Sequence, residues 1–498
     1  MQALLDLLTY QKDMPFIFNS GRFLFFFSLL FSAYGLVVSH KGARLAYLTA
    51  FSLLFYYISS GSFVFLLLFC ILFNFFFAQL LPPKEEEKSP PELLTLGILV
   101  NLSFLLYYKY ANFFIGNLKA LDFDVSLIDN LVLPVGISFF TFQTISYLVD
   151  VRQGKIPVAT SLLDFAFYLS FFPQLVAGPI VRAIDFLPQL GRKIYYRPAQ
   201  EEEANSTAFF LDKALLGTGL FLILKGLLKK ALLADYLGQY VDLVFSQPEG
   251  QTALEALLGI YAYTVQIYGD FSGYSDMAIG IALLLGFELP DNFHRPYRAL
   301  NITDFWRRWH ISLSSWLRDY IYIPLGGNRK GPLKQYLFLM ITMLVGGFWH
   351  GASWAFVFWG GMHGLGLMLH KAWKLWTNRP KGKVWAVLAW VLNFHFVAFL
   401  WVYFRMGSFE GSNLLIARLF TNWQLAQWDA FWLARPTVLV FLGLALLLHL
   451  FSDRDKQNMQ NFFGQLPWAF QALIFLLALI LIFQFQSADV APFIYFQF

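Results

Sequence analysis

Thirteen apolar stretches separated by short polar connectors limit what this chain can fold into. They are Phe23–Ser39, Ala46–Ile58, Ser62–Leu81, Glu92–Tyr110, Val135–Val151, Phe165–Val181, Phe209–Leu228, Ala253–Phe287, Gln335–Phe348, Ala352–Leu369, Val384–Phe404, Val438–Leu450 and Trp468–Phe485. Lipid offers the backbone no hydrogen-bond partner, so a crossing must be a helix of about 20 apolar residues or a closed barrel. Some stretches fall short of that length, and Ala253–Phe287 exceeds it enough to kink or tilt. The pattern predicts an all-α polytopic membrane protein of about eleven crossings, the remaining stretches being re-entrant or interfacial.

Composition agrees. Charged residues are 13% of 498 and hydrophobic ones 58%, where a soluble domain carries about 25% charge. That excludes disorder, a coiled coil and an ordinary cytosolic enzyme. The connectors Pro82–Pro91 and Gly191–Ser206, the latter with the acidic triplet Glu201–Glu203, are too short to be domains. One membrane domain over 1–498 is expected. The lone Cys70 excludes an intramolecular disulfide and thiolate metal sites. The net charge of +5 reads as basic loops flanking a membrane, not as a nucleic-acid surface.

Those loops set the orientation. Residues 292–334 hold eight Lys or Arg against Asp304 and Asp319; residues 371–383 hold five and no acid; residues 406–433 hold only Arg418. The first two face the cytoplasm and the third faces outside. Within 292–334, Asn301–Asp319 reads as an interfacial amphipathic helix, with Trp306, Trp309, Leu313, Trp316 and Leu317 on one stripe and Arg307, Arg308, Ser315 and Arg318 opposite. His310 lies at the stripe's edge and points inward. His350 follows Gln335 by 15 positions, about 22 Å of helix, which places it deep in the membrane or toward its outer side.

An ionisable side chain at membrane depth is costly and marks function by default. His350 stands in Gly346-Gly347-Phe348-Trp349-His350-Gly351-Ala352, where glycines allow close backbone approach around an aromatic–histidine pair. The bland alternative is a helix break whose histidine satisfies freed carbonyls; the functional reading is preferred. His363 lies at depth on the next span, while His395 and His449 read as packed histidines in apolar helices. Asp270 and Asp276 are either a polar lining that orients a histidine or structural partners of Lys225 and Lys229. Histidines 310, 350 and 363 have no metal-binding spacing, so no metal is expected. The chain also lacks a nucleophile elbow, a phosphate loop and a dinucleotide fingerprint.

Four segments carry a resemblance. They are Phe305-Trp306-Arg307-Arg308-Trp309-His310-Ile311-Ser312-Leu313-Ser314 with Trp316–Tyr320; Ile323-Pro324-Leu325-Gly326-Gly327-Asn328-Arg329-Lys330-Gly331; Phe348–Ala352; and Tyr268-Gly269-Asp270-Phe271-Ser272-Gly273-Tyr274-Ser275-Asp276. Pro134–Gln143, Phe172–Ile180 and Asn292–Tyr297 add to it. Together they resemble the membrane-bound O-acyltransferase family, in its bacterial branch of alginate-type acetyltransferases and D-alanyl transfer proteins. The resemblance implies helices around a central funnel or tunnel. It implies His310 and His350 as the catalytic pair; Trp349, His363, Asp270, Asp276, Arg318 and Asn328 are candidates for supporting or substrate-lining roles. It implies no bound cofactor, but a cytoplasmic thioester co-substrate, acetyl-CoA or a phosphopantetheinyl carrier protein, whose phosphates Arg329 and Lys330 would attract. The acceptor would be an extracytoplasmic polysaccharide, reached from the inner membrane directly or through a periplasmic SGNH-type acetyltransferase. D-alanyl transfer to teichoic acid is the alternative, and a polysaccharide-precursor transporter the reading from another class.

Overall fold

The computed structural model describes residues 8–11, 16–81, 91–176, 178–195, 209–376, 382–424 and 428–485. The connector Pro82–Pro91 and the triplet Glu201–Glu203 fall outside them, apart from Pro91, which opens a helix. Among the described residues the regular structure is helical except for a two-residue parallel ladder pairing Ile194–Tyr195 with Phe209–Phe210. One buried apolar cluster runs from Phe16 to Ile482.

Among the described residues, four helices are long and apolar enough to cross a membrane: Lys41–Ala78, Glu92–Ala120, Lys383–Met406 and Trp468–Phe485. A fifth arises if Pro436–Leu450 and Asp453–Gln465, which meet at 100°, form one broken span. The central helices are less apolar for a physical reason. Ala253–Leu284 is 32 residues long, started by a Thr252–Glu255 capping box, and nearly all of it is buried, including Asp270, Ser272 and Ser275. A helix surrounded by protein need not match lipid and can carry polar groups.

Ala253–Leu284 forms one continuous helix. One expected element comes out differently. Phe165–Val181 is no continuous span: Leu162–Ser170 ends at Phe171, and only the short Phe172–Leu175 follows. Pro173 and Pro179 cannot donate a backbone hydrogen bond, so a helix does not propagate through them.

Ion pairs mark the two ends of the bundle. Lys41–Asp164 (2.7 Å), Arg182–Asp319 (2.7 Å) and Arg192–Glu288 (2.7 Å) gather at the end that holds the basic loop. At the opposite end Arg435 meets Glu255 and Arg405 meets Asp242, both at 2.6 Å.

Candidate active site

The Asn301–Asp319 segment is two helices, Ile302–Trp306 and Ile311–Leu317, not the single amphipathic one expected. The break falls on His310, whose φ of 44° lies in the left-handed region, uncommon for a residue with a side chain. Such strain persists only where the surroundings over-determine it. Here Asn292 does so. Its carbonyl oxygen accepts from the Ile311 amide (3.0 Å), while its Oδ1 meets His310 Nδ1 (3.1 Å), the Ser312 amide (3.3 Å) and Ser312 Oγ (2.9 Å). The Asn292 Nδ2 donates to Ser275 Oγ (3.2 Å), which identifies Oδ1 as the acceptor. His310 Nδ1 therefore carries the proton, and the lone pair sits on Nε2, assigned from this network. His310 thus points inward as expected, but through the backbone break and not the helical stripe.

His350 is the last helical residue of Pro332–His350. This helix crosses Trp354–Trp376 where Gly347 faces Gly360; a Cβ on either would meet the other's backbone within 3 Å. That approach brings Trp359 edge-on to the His350 ring at 5.1 Å, with Phe404 at 5.2 Å. Trp349 stacks on Phe142 at 5.1 Å, and Phe142 stacks on Trp316 at 3.7 Å. These aromatic contacts fix the last turn before the histidine.

The two imidazole centroids are 6.5 Å apart. His310 is 0% exposed and enclosed by Phe271, Phe293 and Trp349; His350 is 2% exposed. His350 lines a small open recess of about 50 Å³ with Lys109, Leu133–Phe139, Val176 and Trp349. The recess lies at the end opposite the basic loop. Its rim is tied down by Tyr56 Oη donating to the Val135 carbonyl (2.8 Å) and the Val135 amide donating to Ser60 Oγ (3.1 Å). Gly136 makes the rim turn at φ 75°, where a Cβ would overlap the Leu175 carbonyl.

The other expected residues lie elsewhere. His363 is buried, accepts from Trp306 Nε1 (3.3 Å) and shares the Trp359 ring with His350. Asp270 pairs with Lys230 (2.6 Å), which also holds Asp235; Asp276 bridges Lys225 (2.9 Å) and Lys229 (2.7 Å). Arg318 bonds Asp319 and is 60% exposed. Asn328 accepts from Tyr322 Oη (2.6 Å) and Gln335 Nε2, and Arg329 and Lys330 stand exposed on the same turn. None of these polar contacts is made to the His310 or His350 ring.

Sequence reasoning missed Lys109 and the role of Asn292. Lys109 was visible as an ammonium inside the apolar stretch Glu92–Tyr110. Asn292 stands in the Asn292–Tyr297 segment of the resemblance, but only the fold shows it beside His310.

The chain is 38% identical over 428 residues to a probable alginate O-acetylase AlgI of Pseudomonas putida, covering 81% of this chain and 84% of that one. It is 39% identical over 343 residues to a peptidoglycan O-acetyltransferase of Helicobacter pylori, covering 64% and 63%. It is 29% identical over 282 residues to a teichoic acid D-alanyltransferase of Bacillus subtilis, covering 54% and 68%. Residues 88–409, which contain both histidines and the whole recess, match the model of the membrane-bound O-acyltransferase family. The chain belongs to that family and is a multi-pass membrane O-acyltransferase.

Proposed function

We propose that this enzyme carries an acyl group, acetyl by preference, from a thioester donor at the basic end to a hydroxyl presented at the opposite end. The observation that carries the reading is the 6.5 Å approach of His310 to His350, with His350 opening onto the outward recess. By the positive-inside rule the basic end is cytoplasmic, which puts the recess outside and the protein in the inner membrane, with about eleven crossings grouped around the site.

The chemistry needs a base, a water-poor site and two-sided access. An imidazole with a bare nitrogen takes the acceptor's hydroxyl proton. The resulting alkoxide attacks the thioester carbonyl, the tetrahedral adduct collapses, and the departing thiolate leaves with a proton returned by the imidazole. His350, at the recess, is the base; His310, held with Nε2 bare by Asn292, orients the donor side. Because His310 is closed to solvent, the donor enters only when the surrounding aromatic side chains move. The acceptor is an extracytoplasmic polysaccharide hydroxyl, met directly or through a periplasmic SGNH-type transferase. Acetyl is preferred to D-alanyl because the likeness to O-acetylases is both closer and longer.

The test is H350A in proteoliposomes supplied with acetyl-CoA or with a D-alanyl carrier protein. Acetyl transfer should fall to background in H350A while insertion and melting temperature hold. Wild-type transfer rates in H350A would overturn the reading, and transfer from the D-alanyl carrier alone would change the acyl group.

A further inference from the structure

Lys109 sits on a π-helical turn, Leu106–Tyr110, inside the span Glu92–Ala120. A π-turn inserts a residue into the helix and re-aims the side chains after it, often at functional sites. Here it sends the ammonium across to the end of the Pro332–His350 helix. Nζ donates to the Trp349 carbonyl (2.8 Å) and the His350 carbonyl (2.9 Å), and lies 5.9 Å from the Trp349 ring. The neighbouring Tyr110 Oη donates to the Phe348 carbonyl (2.9 Å). Two consecutive residues thus close the last carbonyls of the helix that carries the histidine.

That role uses two of the ammonium's three N–H groups. Lys109 also lines the recess, where it is the one cationic side chain among the described lining residues apart from the titratable His350. No carboxylate among the described residues pairs with it. A cation held at membrane depth without a counter-charge is costly, and an arriving anion relieves that cost. The third N–H and the open side of the recess leave room for one.

We infer that Lys109 binds a negatively charged group of the acceptor, a carboxylate or phosphate beside the accepting hydroxyl, so that the recess selects acidic polymers. This rests on the recess being the acceptor side of the proposed reaction. The hydroxyl then reaches His350 because the anion is anchored one residue's length away.

The experiment gives the reconstituted full chain three probe acceptors of equal length: an oligoglucuronate, its carboxyl-reduced neutral counterpart and a phosphorylated neutral oligosaccharide. Wild type should show a KM at least tenfold lower for an acidic probe than for the neutral one, and the difference should shrink in high salt. K109M should erase the ratio and K109R keep most of it. The two acidic arms separate carboxylate from phosphate. A capping lysine with no ligand role would lower kcat for all three probes and leave the KM ratio intact. That result, or a wild type indifferent to charge or salt, overturns the inference. The salt series needs no variant, so it decides even if K109M fails to fold. Failure of the catalytic reading itself appears separately, as wild-type acetyl transfer in H350A.

Discussion

Replacing Asn292 by leucine should separate positioning from fold. Oδ1 takes three hydrogen bonds at once, from His310 Nδ1, the Ser312 amide and Ser312 Oγ, in a residue 1% exposed. Leucine has similar bulk and no acceptor, so three buried donors lose their partner. The Ser312 hydroxyl can rotate to another acceptor, which leaves about two uncompensated donors at roughly 1–3 kcal/mol each. Part of that appears as lost stability, and part as freedom of the imidazole to rotate or exchange its proton between nitrogens. If about 2–3 kcal/mol of orientation is lost in the transition state, the turnover falls by about 30- to 150-fold. N292D keeps the acceptor and should retain a tenth or more of the rate. The assay is acetyl-CoA consumption by reconstituted enzyme, with melting temperature alongside. N292L turning over at the wild-type rate with an unchanged pH profile would refute the assignment of His310 Nδ1–H to this acceptor.

Other outcomes follow from the same geometry. G347A should drive the Pro332–His350 helix from Trp354–Trp376, because Gly347 lies against the Gly360 backbone; activity should fall more than tenfold, and G360A should behave alike in the same acetyl-transfer assay. K230M leaves Asp235 and Asp270 without their shared cation and should cost about 3–5 kcal/mol, read as a large drop in melting temperature. W316A removes the ring stacked on Phe142 and should cost about 3–5 kcal/mol and slow transfer through Trp349. Burial raises the Asp319 carboxyl, yet hydrogen bonds from Arg318 and Arg182 outweigh it and hold the carboxyl below its ordinary range. A depressed carboxylate stabilises above its unfolded value and loses that contribution as pH falls through the folded one. D319N should therefore be less stable than wild type at neutral pH, and the gap should close below about pH 4; a gap constant from pH 3 to 7 in thermal melts contradicts the pairing.

What the sequence revealed and what it hid follow from the range of each interaction. His350 was legible because glycines beside an aromatic–histidine pair at membrane depth are a local pattern, and the same pattern builds the Gly347–Gly360 crossing. The helical wheel over Asn301–Asp319 placed His310 inward, but for the wrong reason. No propensity marks residue 310 as a break; the left-handed turn exists because Asn292, eighteen positions earlier, holds the two amides that follow it, those of Ile311 and Ser312. Asp276 shows the opposite case. Its identity permitted a lining role or an ion pair, and only the juxtaposition with Lys225 and Lys229 resolves which contacts it makes. Hydropathy failed for Phe165–Val181 because it measures lipid compatibility, and this segment is buried in protein, where two prolines and a helix break carry no lipid penalty.

The proposed division of labour between the two histidines has a physical basis in that same contrast. His310 is held by Asn292, which is itself fixed by Ser312 and Ser275. His350 is held from the other side, by Lys109 and Tyr110 on its carbonyls and by the aromatic contacts of Trp349 and Trp359. The two supports meet where the rings approach to 6.5 Å, and Trp306 on His363 and Trp309 on Trp401 also join them. Entry of the proposed donor to a buried His310 requires contacts between these supports to open, and the Phe142–Trp316 stack is one such contact. A disulfide-length crosslink introduced across that contact should leave the fold and acceptor binding intact while abolishing turnover, and reduction should restore it. Full turnover in the crosslinked enzyme would mean that the donor reaches His310 without that contact parting.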